Sequence, residues 1–304
     1  MTESSRQADR AVSLGFVAMV ILLGANFVAV QFSNRELPPF WGAALRFSLG
    51  TLILLFIMLH QRLMFPRGAA LWGAVGYGLL NFGLSYALAY WALLTVPSGL
   101  AAVVFSTLPL MTLLLSATIG LERLGWLNVT GALVAITGIF LIFYQQVRID
   151  IPIGGLMAMM CSVVMAASSS VLVKRLPKPH PVTLNAVGMA VGTMFLLIVS
   201  TIAGERLALP TLTDTWIALA WLVMSAVVAF LLFVWIIGRW TASAATYALV
   251  LAPVVTIPLA SWLSKEPITL WFMLSSIVVL AGAYMGTISR RHQRRKTQRE
   301  SVSA

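Results

Sequence analysis

Residues 109–138 read PLMTLLLSATIGLERLGWLNVTGALVAITG, and residues 253–282 read PVVTIPLASWLSKEPITLWFMLSSIVVLAG. At this offset of 144 positions, with no gap, Pro109 falls on Pro253, Glu122 on Glu266 and Gly138 on Gly282, and further upstream Trp91 falls on Trp235. Matches among Leu, Ala and Val carry little weight in so apolar a chain. Pro, Trp and acidic residues do carry weight, because 304 residues contain only 13 Pro, 10 Trp and 9 Asp or Glu. The chain therefore reads as a duplication.

Working outward from these stretches, apolar runs of helical membrane-spanning length occur at 11–32, 39–60, 69–91, 96–119 and 126–144, and again at 153–173, 181–203, 214–237, 242–263 and 270–288. The composition agrees: 60% of residues are hydrophobic and 10% charged, against roughly 45–50% and about 25% in soluble domains. Five crossings per copy place the second copy upside down relative to the first, the construction of many secondary transporters. The expected fold is an all-α integral membrane protein of ten transmembrane helices in two inverted five-helix repeats. A tail at 1–10 precedes the first repeat (11–144), a connector at 145–152 joins it to the second (153–288), and a basic tail occupies 289–304. The first run is too long for a signal-peptide core and runs into Gln31, Asn34, Arg35 and Glu36 without a small-residue cleavage site, so it reads as a retained helix.

The net charge of +11 raises the question of nucleic acid, and its placement answers it. Fifteen of the twenty Lys and Arg fall on the side of the amino terminus, including six between Arg290 and Arg299, while Arg35, Arg148, Arg206 and Lys265 fall opposite. Basic residues mark the cytoplasmic side, so both termini are expected there, in a cytoplasmic membrane of bacterial type. The basic tail then suits anionic lipid headgroups rather than nucleic acid. One cysteine, Cys161, excludes an internal disulfide, and His60, His180 and His292 lie too far apart to suggest a metal site.

Several short patterns carry a resemblance. Gly24-Ala25-Asn26-Phe27, Ala44-Leu45-Arg46-Phe47, Pro109, and Glu122 before Gly131 and Gly138 resemble the EamA-type half of the drug/metabolite transporter superfamily, and Pro253, Glu266, Pro267 and Gly282 repeat it. Leu23 stands where that pattern commonly has Trp. The resemblance spans about residues 11–288 and implies a ten-helix carrier with a central cavity between two repeats.

Candidate functional residues follow from polar or helix-breaking groups at membrane depth. Arg46 is the basic residue that falls inside a span, where burial costs roughly 2.5–3.5 kcal/mol on the insertion scale, so something must offset it. It either binds a substrate carboxylate or phosphate, or serves as a structural or gating group, with Asn26 at similar depth as a neighbour. Asn81 and Ser225 are equivalent under the 144-residue offset and lie at midspan, where inverted-repeat carriers hold substrate. With Ser85, Tyr86, Ser106, Thr107 and Tyr247 they either line a polar cavity or bond helix to helix. Pro109 and Pro253, at the middle of spans four and nine, act as gating kinks or as static bends. Trp91 and Trp235 suit interfacial anchoring, and Gly188/Gly192 and Gly282/Gly286 suit close helix approach within the bundle.

All nine acidic residues fall outside the span cores, which disfavours a proton-coupled cation antiporter needing a buried carboxylate. Glu122 and Glu266 are expected to cap the helices that follow them. Neither a metal, a cofactor nor a catalytic constellation is expected. The function expected is secondary transport: export of small polar metabolites, amino acids or derivatives, with organic-anion or sugar-phosphate exchange as the alternative. A non-transporting scaffold or lipid flippase is the reading from another class.

Overall fold

The structure, a computed structural model, describes residues 3–121, 124–146, 152–175, 180–237 and 242–285. Its first repeat contains α1 (Glu3–Ser33), α2 (Pro39–His60), α3 (Ala69–Gly78) continued by a π-turn (Leu79–Ser85) into α4 (Tyr86–Ala92), then α5 (Ser98–Phe105), α6 (Leu108–Thr118) and α7 (Trp126–Gln146). The second contains α8 (Ile153–Arg175), α9 (Pro181–Ile202), α10 (Thr213–Ile237), α11 (Ala242–Leu263) and α12 (Leu270–Met285). No strand occurs among the described residues. α3, the π-turn and α4 form one crossing and α5 with α6 another, so the chain crosses ten times in two inverted repeats of five. The basic tail and its lipid contact lie outside the described residues.

Packing follows the duplication. α1 lies against α10 and α11, and its repeat mate α8 lies against the α3–α4 rod and the α5–α6 rod; α2 packs on its own mate α9. At the crossing of α7 and α12 the reciprocity is residue for residue. A Cβ on Gly138 would stand 2.7 Å from Val279 N and 3.1 Å from Ser275 O, and a Cβ on Gly282 would fall on Ala135 N and stand 2.7 Å from Gly131 O. Since 279 and 275 are 135 and 131 moved by the repeat offset, this is an isologous contact, the signature of a two-fold relation. Gly188 and Gly192 serve the same end within the bundle, admitting Tyr77 and Phe82 against α9.

Two spans expected to be single helices are interrupted. Span three passes through the π-turn, whose misaligned carbonyl at Ser85 takes the Ser162 hydroxyl of α8 at 2.8 Å. Span four breaks between α5 and α6, with Pro109 in the first turn of α6 because proline lacks the N–H that an interior helix position needs. Its mate Pro253 behaves otherwise and sits inside the continuous α11, along with Pro258. The two repeats thus use one proline position in two ways.

Carboxylates join the repeats at the face carrying Glu36. Glu266 accepts from Ser98 N at 2.7 Å, Ser98 Oγ at 2.8 Å and Gly99 N at 3.1 Å, so it caps α5 of the other repeat rather than the helix that follows it. Glu205 accepts from Trp41 N at 2.8 Å and Phe40 N at 3.2 Å, capping α2. Glu36 accepts from the Thr211 N–H and hydroxyl and from Leu212 N, at the start of α10. The expected cap at Glu122 lies outside the described residues. Loss of a helix cap costs roughly 0.5–2 kcal/mol, so Glu266→Ala should lower the melting temperature in detergent while Lys265→Ala leaves it unchanged.

The Thr211 hydroxyl holds the Glu36 carboxyl at about 2 instead of 4.5, with help from the Thr211 N–H and against partial desolvation. Because the folded value is depressed, the stabilisation is complete above the unfolded value and fades as pH falls towards the folded one. The melting-temperature difference between wild type and Glu36→Gln should therefore be present at pH 5 and shrink steadily as pH is lowered from about 4.5 to about 2.

Candidate substrate cavity between the repeats

α1, α2, the π-turn with α4, α5, α9, α10 and α11 surround two adjoining chambers of about 70 and 200 Å³ that share Leu23, Asn26, Arg46, Tyr86 and Leu249. The smaller reaches Val30, Tyr90 and Leu93, towards the Glu36 face, and the larger reaches Met19, Asn185 and Ala229, towards the opposite face. Together they follow the middle of the bundle across the depth at which inverted-repeat carriers hold substrate.

Arg46 stands at the junction of the chambers and is 2% exposed. Its guanidinium carbon lies 5.1 Å from the centroid of Phe47 and 5.3 Å from that of Tyr86, and its Nε has no hydrogen-bond partner. Among the described residues no carboxylate comes within ion-pair distance of it. Aromatic faces attract a cation but do not accept its in-plane hydrogens. Tyr90, beside it, is fully buried, with its hydroxyl oxygen facing the guanidinium as a neutral neighbour, while Asn34 Nδ2 donates to the Tyr90 carbonyl at 2.8 Å. A buried cation with neutral neighbours and an unpartnered Nε is thus left at the wall of a cavity, an arrangement that ordinary folding avoids.

Two amide oxygens of the lining are engaged, whereas Asn34 Oδ1, behind Tyr90, is buried without a partner. Asn26 Oδ1 receives the Ser225 hydroxyl at 2.6 Å, joining α1 to α10, and Asn185 Oδ1 receives Tyr77 Oη at 3.2 Å. Ser85 Oγ and Ser162 Oγ lie 3.1 Å apart, fastening the π-turn to α8. Much of the remaining wall is aromatic. Phe27 meets Phe105 edge to face at 5.7 Å, and Phe47 meets Tyr86 at 4.6 Å and Phe82 at 5.2 Å.

The sequence candidates distribute unevenly around this cavity. Asn26, Arg46, Ser85, Tyr86 and Ser225 line it. Asn81 is half-buried on the π-turn, away from the lining that Phe82, Ser85 and Tyr86 supply. Ser106 and Thr107 donate at 2.6 Å to Val103 O and Val104 O of their own helix, and the wall beside them is Phe105. Tyr247 belongs to α11, its side chain outside the described residues. Pro109 and Pro253 are buried, and each lies four residues after a lining residue, Phe105 and Leu249 respectively. Trp91 is exposed, as an anchor should be, whereas Trp235 packs on Gly15 of α1.

Tyr90, Asn185 and Phe105 were not singled out from sequence. Tyr90 follows Tyr86 by four residues, the spacing that puts two side chains on one helix face. Asn185 is a lone amide in an apolar run, and nothing local marked Phe105. Of the described residues, no group of three or more His, Cys, Asp or Glu could hold a metal.

Comparison with known proteins points one way. A sequence model of the EamA-like transporter family matches residues 10–144 and again 153–288. A protein of Escherichia coli K12 described as the uncharacterized inner membrane transporter YedA is 29% identical over 276 residues, 86% of each chain. A Salmonella typhimurium protein named probable amino-acid metabolite efflux pump is 24% identical, over 92% of this chain and 96% of its own. A crystal structure at 20% identity superposes with a TM-score of 0.63, covering 93% of this chain and 99% of its own, which shows the shared fold.

Proposed function

The chain belongs to the EamA-like transporter family, and from that premise we propose that it is a secondary carrier exporting small carboxylate-bearing metabolites, amino acids or their derivatives, from the cytoplasm by alternating access. The observation that carries this reading is the buried guanidinium of Arg46 at the junction of the two chambers, with an unpartnered Nε and no carboxylate beside it among the described residues. A buried cation without a counter-charge is costly, and a substrate carboxylate supplies the missing partner and accepts hydrogen bonds from Nε and the Tyr90 hydroxyl. A sugar phosphate carries about two charges and calls for more cations than one Arg. The name of the Salmonella relative supports the amino-acid class.

Counterflow in proteoliposomes tests the reading: labelled carboxylates should accumulate against unlabelled ones, and quaternary cations should not. Exchange of cations alone, or of no solute, would overturn it.

Export also requires an orientation. The excess of basic residues on the side of the amino terminus supports an orientation with both ends in the cytoplasm, the carrier lying in an inner membrane. A reporter fused after Ser289 should be active in its cytoplasmic form. Activity of a periplasm-dependent reporter there would reverse the topology and with it the direction of export.

A further inference from the structure

Resting on that reading, we infer that the favoured substrates are monoanions, carboxylates with a flat apolar body and no free ammonium group, such as N-acylated or deaminated aromatic acids. Charge is the first argument. Arg46 is the charged residue among the described residues lining either chamber, and no acidic side chain stands beside it. One carboxylate neutralises the loaded site. A zwitterionic amino acid brings a second cation into the same enclosure, where it meets no anion.

Hydrogen bonding gives the same answer. Arg46 Nε, in the lining of both chambers, is a charged donor without a partner, whereas the amide oxygens of the lining residues Asn26 and Asn185 already accept from Ser225 and Tyr77. An ammonium needs acceptors, and here it finds neutral oxygens that already hold one helix to another and has to share them, with no carboxylate among the described lining residues.

Shape supplies the third argument. Beyond Arg46 the wall presents Phe27 and Phe105 edge to face, then Phe47, Phe82 and Tyr86. Such rings favour stacked or edge-on contact with another flat apolar group over a polyhydroxylated chain.

The test compares four ligands of one skeleton, 3-phenylpropanoate, N-acetylphenylalanine, phenylalanine and 3-phenylpropanamide, on the full-length protein. Binding is read as a rise in melting temperature in detergent, and exchange as counterflow in proteoliposomes. The two monoanions should bind and exchange at concentrations at least about tenfold lower than phenylalanine, and the amide should do neither. In Arg46→Gln the monoanions should lose their advantage over the amide. If phenylalanine equals or exceeds the monoanions while still depending on Arg46, the charge inference is overturned and the carboxylate carrier stands. If no carboxylate binds or exchanges, both fall.

Discussion

Arg46→Met should abolish carboxylate flux without destabilising the protein. Truncating one member of a buried charge pair costs roughly 3–5 kcal/mol, so the loss in binding and transport should reach about two to three and a half orders of magnitude. Stability separates the possible roles of this residue. A structural arginine spends its hydrogens on carbonyls or carboxylates, and its removal lowers the melting temperature. Arg46 has an unsatisfied Nε, aromatic neighbours and no carboxylate partner among the described residues. Replacing it with an apolar side chain of similar length removes an uncompensated cation, so the melting temperature should hold or rise, the exchange of function for stability common at binding sites. Arg46→Lys asks whether geometry matters: Lys supplies the charge but not the planar fork, and partial flux is expected. A fall in melting temperature of Arg46→Met with flux retained would falsify the binding role.

The largest structural effect should come from Gly282→Val. A Cβ at Gly282 would fall on the backbone nitrogen of Ala135, and backbone inside a packed helix cannot yield as a side-chain tip can. Overpacking typically costs about 1–3 kcal/mol, and a backbone collision at the centre of a helix crossing belongs at or beyond the upper end. The expected result is loss of the monodisperse peak in detergent gel filtration, or a melting temperature far below wild type. Gly138→Val should do the same, because the two-fold relation makes its environment the mate of that around Gly282. Gly154→Ala is the control, since its new Cβ would meet Trp91 at 3.6 Å, ordinary van der Waals contact. Wild-type melting in Gly282→Val would show that α7 and α12 do not meet as described.

The division between what sequence carries and what folding adds is visible in particular residues. α2 occupies 39–60, as its apolar run indicates, and α9 ends one residue before the run does. Such limits are legible because a hydrocarbon core demands a helix of fixed length, which composition records directly. The duplication was legible because rare residues keep their spacing, and Arg46 because a cation inside an apolar run is conspicuous.

Properties that depend on which helices become neighbours were not legible. The 144-residue offset makes Pro109 and Pro253 equivalent, yet one divides a span and the other sits in an unbroken helix, a difference that the shared proline does not itself encode. Glu266 precedes α12 in the chain but caps α5, because a loop carboxylate bonds the helix terminus that packing brings to it, here 168 positions away. Ser106 and Thr107 looked like cavity groups, and their hydroxyls go to their own helix, while Phe105 forms the wall. The sequence by itself determined the ten crossings, the repeat and the buried cation, each a matter of local composition or spacing. Only the tertiary structure decided which polar groups face one cavity and which donors remain unsatisfied there, because satisfaction of a polar atom depends on partners that arrive from distant segments.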